Sequence, residues 1–148
     1  MAKHALYKTF MTRMKDSYDA AMYLEASWYV YAVLEDRLLS LLRNSGGVGE
    51  TNGGAGGKPI KMMGPKLKEL SRRTKKDKLL KECFEYSKLN TWKESRNNLM
   101  HAMGDASMTI QDIDLTAKKL AEDGIELVKE YAAACRRLKK HRDKVAVK

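Results

Sequence analysis

The sequence contains little cysteine or proline, with two residues of each among 148. Cys83 and Cys135 stand far apart, without a CxxC pair or a Cys/His spacing. We therefore predict two reduced thiols in the core of a cytoplasmic protein and no metal site. The scarcity of proline, beside plentiful Leu, Lys, Ala, Glu and Met, favours helices. No segment approaches the roughly 20 uninterrupted apolar residues of a membrane span, so we expect no membrane partner.

Positive charge is spread unevenly along the chain, whose formal net charge is +10. Residues 58–81 contain ten Lys/Arg against two acidic residues, and residues 136–148 contain seven against one. Such concentrations favour a polyanionic partner such as RNA, with residues 136–148 as a basic C-terminal tail. The alternative for either segment is a solvated helix face. The candidate RNA-binding residues are Lys66, Lys68, Arg72, Arg73, Lys75 and Lys76.

Hydrophobic residues recur at helical spacing between about residues 5 and 43, in steps of three and four apart from two gaps. The pattern predicts one long amphipathic helix, with a single bend as the alternative to a straight one. It also favours packing of Trp28 and Tyr31 in the core or against a second copy, rather than stacking on RNA bases. One gap falls at Glu35, whose carboxylate would be costly to bury unpaired. We expect Glu35 to face a cation or a polar cavity, and we favour an ion pair between helices over a catalytic role.

Residues 44–58 contain seven of the ten glycines, so we predict a flexible loop. The loop ends in Gly57-Lys58, which invites comparison with a phosphate-binding P-loop. The comparison fails, because Asn52 stands where the first glycine belongs and Pro59 replaces the Ser/Thr that would bind magnesium. We therefore expect no nucleotide cofactor.

Short helices are predicted in the middle of the chain. Pro65 suits the first turn of a helix over about residues 66–73, and a second helix is expected over about residues 76–88. Thr91 and Glu94 have the spacing of a capping box, in which each side chain bonds the other residue's backbone amide. This box is predicted to begin a third helix.

Gly104 suits the end of that third helix, because glycine readily adopts the left-handed conformation that ends many helices. Thr109 and Asp112 repeat the capping pattern before a long last helix. The predicted fold class is therefore all-α, a bundle of four or five helices with long first and last members. A chain of this length most simply forms one domain over residues 1–148.

One hexapeptide in this helical sequence carries groups suited to chemistry. It reads Arg96-Asn97-Asn98-Leu99-Met100-His101. Arginine supplies fixed charge and paired donors for phosphate oxygens, and histidine exchanges a proton near neutral pH. On a helix Asn97 and His101 are neighbours, whereas Arg96 lies well round the cylinder, so a second subunit would be needed to complete a site. The alternative is structural, with Arg96 in a surface ion pair and His101 capping or packing.

Arg96, Asn97 and His101 match the three marked positions of the R-x4-6-H motif, which commonly has Asn, Asp or His directly after the arginine. With this motif on a late helix of a small, basic, helical chain, the sequence resembles the HEPN superfamily (higher eukaryotes and prokaryotes nucleotide-binding). The resemblance covers most of the chain in architecture, but only six residues carry the motif. Many members are metal-independent endoribonucleases with a composite cleft between two subunits, and many are prokaryotic toxins or defence effectors.

The resemblance implies that Arg96 and His101 are catalytic and that Asn97 supports them. Glu35 is the candidate for the polar residue that members often keep on an early helix facing the motif. RNA, a second copy of the chain and an antitoxin protein are the implied partners. Met103 stands where branches with a nucleotidyltransferase antitoxin have a tyrosine, so control through that tyrosine is not expected. The alternatives are a catalytically silent RNA- or nucleotide-binding protein or dimeric scaffold, and a basic DNA-binding protein.

Overall fold

A computed structural model of the chain describes residues 2–50 and 58–146. Within these ranges the ordered structure is helical apart from turns and one isolated β-bridge, which confirms the all-α fold class. The six helices of the described residues are α1 (Ala2–Asp19), α2 (Tyr23–Arg43), α3 (Met63–Arg73), α4 (Lys78–Cys83), α5 (Tyr86–Gly104) and α6 (Ile110–Ala146). The expected four or five helices are therefore too few. None of these six is both long and apolar enough to cross a membrane.

The chain divides into two compact units, each with its own set of buried side chains. Unit 1 consists of Met1–Leu34 and Thr91–Val128, and unit 2 consists of Glu35–Asn90 and Lys129–Lys148. The boundaries fall within α2, α5 and α6, so each of these helices contributes residues to both units. Buried apolar side chains include, in unit 1, Met14, Val30, Trp92, Leu99, Ala117 and Leu120, and in unit 2, Leu38, Leu42, Leu67, Leu70, Leu80 and Leu138.

The predicted single helix over residues 5–43 is wrong, because the chain turns between α1 and α2. Ala21 has φ 59°, in the left-handed region of backbone conformation that residues other than glycine rarely adopt. The turn lets the ring of Phe10 pack against the ring of Tyr29, with centroids 5.8 Å apart. In one straight helix these two residues would lie roughly 28 Å apart along the axis. Neither glycine nor proline marks the turn, and the nearest irregularity in the apolar pattern is the gap at Ser17. Such a gap is compatible with a bend, but it does not indicate that the helix ends.

The expected helix over residues 76–88 is interrupted. The helix α4 ends at Cys83, and Phe84 is extended, with φ −132° and ψ 126°. At the next residue the hydroxyl of Tyr131 accepts a hydrogen bond from the Glu85 amide at 2.9 Å and donates to the Glu85 carbonyl oxygen at 3.1 Å. These bonds serve backbone groups that the interruption leaves without helical partners. Burial raises the pKa of Tyr131 to about 12.

The helix that carries the hexapeptide begins earlier than the sequence predicts. It starts at Tyr86, so Thr91 lies inside the helix and the predicted capping box is wrong. Its end at Gly104 is confirmed, but the residue with a left-handed backbone is Ala106, with φ 56°, and not Gly104. The cap before α6 is also confirmed, because Oγ1 of Thr109 accepts a hydrogen bond from the Asp112 amide at 3.1 Å.

The ends of the predicted loop over residues 44–58 are held together by an isolated antiparallel bridge between Gly49 and Pro59. Residues 51–57, seven of the fifteen residues of the segment that was predicted to be flexible, lie outside the described residues. Residues 136–146, predicted as a basic tail, belong to α6. The basic side chains of this segment are therefore arranged around a helix and not along an irregular tail.

Both cysteines are free and buried, as predicted. Burial raises the pKa of the Cys83 thiol and raises that of Cys135 to about 11. The Cys135 thiol donates to the carbonyl oxygen of Arg37 at 3.2 Å. Because the thiolate is the reactive form, these protonated thiols are packing groups rather than nucleophiles.

Candidate functional site

The Arg96–His101 motif lies within an unbroken stretch of α5, in unit 1. Arg96 lies ten residues beyond Tyr86, the first residue of the helix, so no loosened first turn helps it reach toward His101. At 100° per residue, Arg96 and His101 project about 140° apart around the axis. The Arg96 guanidinium donates through Nη1 to Oδ1 of Asn97 at 3.4 Å. The asparagine therefore contacts the arginine, and the three groups do not converge within one copy.

The guanidinium of Arg96 is partly buried against an aromatic ring. Its Cζ lies 4.1 Å from the centroid of the Tyr31 ring on α2, within the range of a cation–π contact. Its Nε is buried and has no hydrogen-bond partner among the described residues. No acidic side chain in this part of the chain forms a salt bridge with Arg96, so the alternative of a surface ion pair is not observed.

The imidazole of His101 is exposed at the surface of unit 1, so the alternative of a packed histidine is not observed. The carboxylate of Asp105, four residues on, accepts a hydrogen bond from the Ser107 amide at 3.0 Å. Bonding to Ser107 holds the pKa of Asp105 below its ordinary value, with a smaller contribution from His101. In the described residues no side chain fixes which ring nitrogen of His101 carries the proton.

Glu35, the fourth candidate catalytic residue, forms a salt bridge with Lys66 inside unit 2. The expectation that Glu35 faces a cation is confirmed. Only 4% of the Lys66 side chain and 17% of the Glu35 side chain are exposed, and Oε1 of Glu35 is buried without a partner. Charges removed from water in this way depend on each other, because the loss of one leaves the other uncompensated. We therefore assign Glu35 a structural role in unit 2.

Two of the candidate RNA-binding residues are buried, which corrects their predicted role. Lys66 is occupied by its ion pair, and only 5% of the Arg73 side chain is exposed. The Arg73 guanidinium donates to three carbonyl oxygens, those of Leu42 at 2.9 Å, Gly47 at 2.7 Å and Gly49 at 2.7 Å. Neither side chain is placed to bind RNA. The charge count misses this because both residues lie on the buried face of α3.

The other candidates remain at the surface. Lys68, Lys75 and Lys76 are exposed, and we call these three residues the basic patch. Arg72 has 37% of its side chain exposed, and its Nη2 lies 2.6 Å from Oε1 of Glu69. This hydrogen-bonded pair raises the pKa of Arg72. Because Glu69 pairs with Arg72, the basic patch consists of the exposed candidates for which the described residues show no salt bridge.

The excess positive charge belongs to unit 2. By sequence, unit 2 contains 21 Lys/Arg against 9 Asp/Glu, a net charge of +12. Unit 1 contains 8 Lys/Arg against 10 Asp/Glu, a net charge of −2. On α6, unit 2 also exposes Arg136, Arg137, Lys139 and Lys140. A polyanion is therefore attracted to unit 2, whereas the motif belongs to a unit with a slight negative charge.

Trp28 is a surface residue that the sequence pattern does not identify as one. It is 54% exposed, whereas Trp92 is 4% exposed and donates through its indole nitrogen to the Leu120 carbonyl oxygen at 2.9 Å. Trp28 lies three residues before Tyr31 on α2, so the two side chains are neighbours on that helix. Because it is exposed, Trp28 is not packed in the core of unit 1, and its packing against a second copy stays a prediction. The contact of Tyr31 with Arg96 joins residues far apart in the chain, and no sequence signal predicts it.

Among the residues that the structure describes, no group of three or more His, Cys, Asp or Glu side chains is arranged to hold a metal ion. No protein-family model matches the chain, and no curated protein or solved structure is significantly similar to it. The resemblance to the HEPN superfamily therefore rests on Arg96, Asn97 and His101 together with the all-α fold class.

Proposed function

We propose that this chain is a metal-independent endoribonuclease in which two copies of the Arg96–His101 motif face one RNA strand. The observation that carries the proposal is the state of Arg96, whose guanidinium lies against Tyr31 without an acidic partner among the described residues. Such an arginine can take a phosphate without first breaking a salt bridge. His101, exposed on the same helix, supplies a group that exchanges protons near neutral pH.

The proposed reaction is a transesterification within the RNA chain. The 2′-oxygen attacks the adjacent phosphorus while its proton passes to a neutral histidine. The bond from phosphorus to the 5′-oxygen breaks, and that oxygen takes a proton from an imidazolium, which leaves a 2′,3′-cyclic phosphate and a 5′-hydroxyl. Arg96 would stabilise the charge on the phosphorane oxygens, oriented by Asn97. One histidine from each copy would divide the base and acid roles.

A second copy is part of the proposal because of the geometry of α5. Arg96 and His101 project about 140° apart around one helix, so a single copy does not present both to one phosphate. In a two-fold interface the same surface occurs twice, which brings a second Arg96 and a second His101 to the contact. We expect a dimer in solution. A monomer at micromolar concentration, measured by sedimentation velocity, would contradict the composite site.

Cleavage of generic single-stranded RNA in EDTA tests the proposal. We expect the wild type to release fragments that end in 2′,3′-cyclic phosphate. Arg96→Ala and His101→Ala are each expected to cut roughly 10²- to 10⁴-fold more slowly, the range for loss of a general acid–base group or of electrostatic stabilisation. The matched controls are Arg13→Ala and His4→Ala, exposed residues of α1 in the same unit, which should cut at the wild-type rate. Wild-type protein that binds RNA and leaves it intact would overturn the proposal.

A second candidate function is RNA binding without cleavage. The observation that favours it is the net charge of +12 in unit 2, since binding to a phosphate backbone needs only such a field. The two candidates share the same expected ligand and differ in the result of the cleavage assay. Equal affinity for duplex DNA and for RNA would instead favour the third reading, a DNA-binding protein.

The basic patch is expected to contribute to RNA affinity in either case. Replacing Lys68, Lys75 and Lys76 together with Gln should weaken binding and reduce the slope of log affinity against log salt concentration by up to about 2, since each neutralised phosphate of a single strand contributes about 0.7. Fluorescence anisotropy at several salt concentrations measures both quantities.

The control for this prediction removes the same charge from exposed lysines of α1 in unit 1. It replaces Lys3, Lys8 and Lys15 with Gln, and we expect its salt slope to match that of the wild type. An unchanged slope in the basic-patch variant would mean that the patch faces away from the RNA.

A further inference from the structure

An exposed indole lies one helical turn from the tyrosine ring that contacts the motif arginine. Trp28 is 54% exposed on α2, and residues three apart on a helix have Cβ atoms roughly 5–6 Å apart, so Tyr31 is its neighbour. The guanidinium of Arg96 lies on the Tyr31 ring, with Cζ 4.1 Å from the centroid. All three residues belong to unit 1. Tyr31 therefore has an exposed indole as its neighbour along α2 and, on its ring, a cation without an acidic partner among the described residues.

These two neighbours restrict what can bind on Trp28. The indole presents a large apolar face, for which burial by a flat ligand is favourable. Arg96 has no described acidic partner and a buried Nε without a hydrogen-bond partner, so it favours a ligand with negative charge. A nucleotide satisfies both requirements, because every base has a face that stacks on an aromatic side chain and every linkage carries a phosphate.

We propose that Trp28 is the stacking platform for one unpaired base of single-stranded RNA, with the adjoining phosphate on Arg96. Glu25 is exposed and lies three residues before Trp28, on the side away from Tyr31. Repulsion by this carboxylate directs the phosphate toward the Arg96 side. The inference rests on the proposed function only in taking RNA as the ligand, and it requires no cleavage.

The test uses a 2′-O-methyl oligouridylate of about 12 nucleotides, a length in the range that single-strand sites cover. This probe has no free 2′-hydroxyl, so it binds without being cut. Fluorescence anisotropy of the probe, labelled with fluorescein at one end, measures the affinity of the wild type and of each variant. In the wild type, quenching of tryptophan emission also reports on Trp28, because Trp92 is buried. We expect Trp28→Ala to bind the probe roughly 5- to 150-fold more weakly, the range for alanine replacement of one stacking aromatic residue. Trp28→Tyr, which keeps a ring, should bind within a few-fold of the wild type.

Leu115→Ala is the matched control, because Leu115 is an exposed apolar residue of the same unit, 69% exposed, that does not adjoin the Arg96 contact. Its affinity for the probe should equal that of the wild type. Binding of duplex RNA, which has no unpaired base, should not depend on Trp28. An unchanged affinity of Trp28→Ala for the probe would overturn the inference. A Trp28→Ala protein that becomes monomeric and binds the probe as tightly as the wild type would also overturn the inference. The indole would then belong to an interface between copies.

The outcomes separate this inference from the proposed nuclease activity. If the wild type does not cut RNA but Trp28→Ala weakens probe binding, the nuclease proposal fails and the stacking site stands. If the wild type cuts RNA and Trp28→Ala binds and cuts equally well, the stacking site fails and the nuclease proposal stands.

Discussion

Replacing Arg73 with methionine is expected to lower the free energy of unfolding by about 3–5 kcal/mol, the cost of removing one partner from a buried charged network. The guanidinium donates to the carbonyl oxygens of Leu42, Gly47 and Gly49, and its Nε lies 3.6 Å from Oε1 of Glu69. Methionine fills similar volume and leaves those carbonyls without a donor. Burial lowers the pKa of Arg73, so desolvation already offsets part of the gain from these bonds. The loss should still remove much of the roughly 5–15 kcal/mol typical of a folded domain.

Arg72 supplies the control for this prediction. It contacts the same Glu69 carboxylate, but its side chain is 37% exposed against 5% for Arg73. We expect Arg72→Met to leave the urea midpoint nearly unchanged, since exposed ion pairs contribute little. Unfolding in urea is monitored by circular dichroism. Equal midpoints for Arg73→Met and Arg72→Met would contradict the structural role of Arg73. If Arg73→Met does not fold, Arg73→Lys serves instead, because it keeps the charge but cannot reach all three carbonyls.

Gly124→Leu is expected to destabilise unit 1 by about 3 kcal/mol or more, at or beyond the upper end of the range for an overpacked core. A Cβ atom on Gly124 would lie 2.5 Å from Cγ1 of Val30 and 2.9 Å from Nε1 of Trp92. The indole cannot easily retreat, because it is buried and hydrogen-bonded to the Leu120 carbonyl oxygen. Gly124→Ala should also destabilise, by about 1–3 kcal/mol, although alanine favours a helix over glycine by about 1 kcal/mol.

Gly104 is the matched control, because a Cβ atom there meets nothing within 4 Å. Gly104→Ala should be neutral or stabilising, so the two alanine variants are expected to differ in sign. In a Val30→Ala background the Gly124→Ala change should cost less, a coupling that a double-mutant cycle measures. Thermal unfolding that gives Gly124→Ala a midpoint equal to that of Gly104→Ala would show that the helices do not approach closely at this position.

Local residue chemistry predicts several helix ends correctly. Pro65 lies in the first turn of α3, Gly104 ends α5, and Thr109 caps α6. Each of these signals acts through the backbone within a few residues, so it is present in the sequence itself. The start of α5 at Tyr86 follows an interruption served by Tyr131, 46 residues from Glu85 in sequence. A contact between residues so far apart in the chain has no signal in the local sequence. The true start of α5 therefore could not be predicted, and the capping pattern at Thr91 indicated the wrong start.

The distribution of charge also separates what the sequence predicts from what the tertiary structure decides. The count of basic residues predicts a strongly positive surface, and unit 2 carries that excess. The count does not distinguish Lys66, which is buried in an ion pair, from Lys68, which is exposed two residues later. A lysine side chain is buried at tolerable cost only where a carboxylate is placed to pair with it. Here that carboxylate is Glu35, which comes from another helix.

The sequence by itself determined the all-α fold class, the presence of Arg96, Asn97 and His101 on one helix, and the excess of positive charge. These follow from residue propensities, spacing and composition, which need no knowledge of distant contacts. The tertiary structure alone decided that Arg96 rests on Tyr31 with no acidic partner among the described residues, and that Trp28, one helical turn from Tyr31, stays exposed. The physical reason is that burial and pairing are properties of two helices in contact, and the residues that meet there are far apart in the chain.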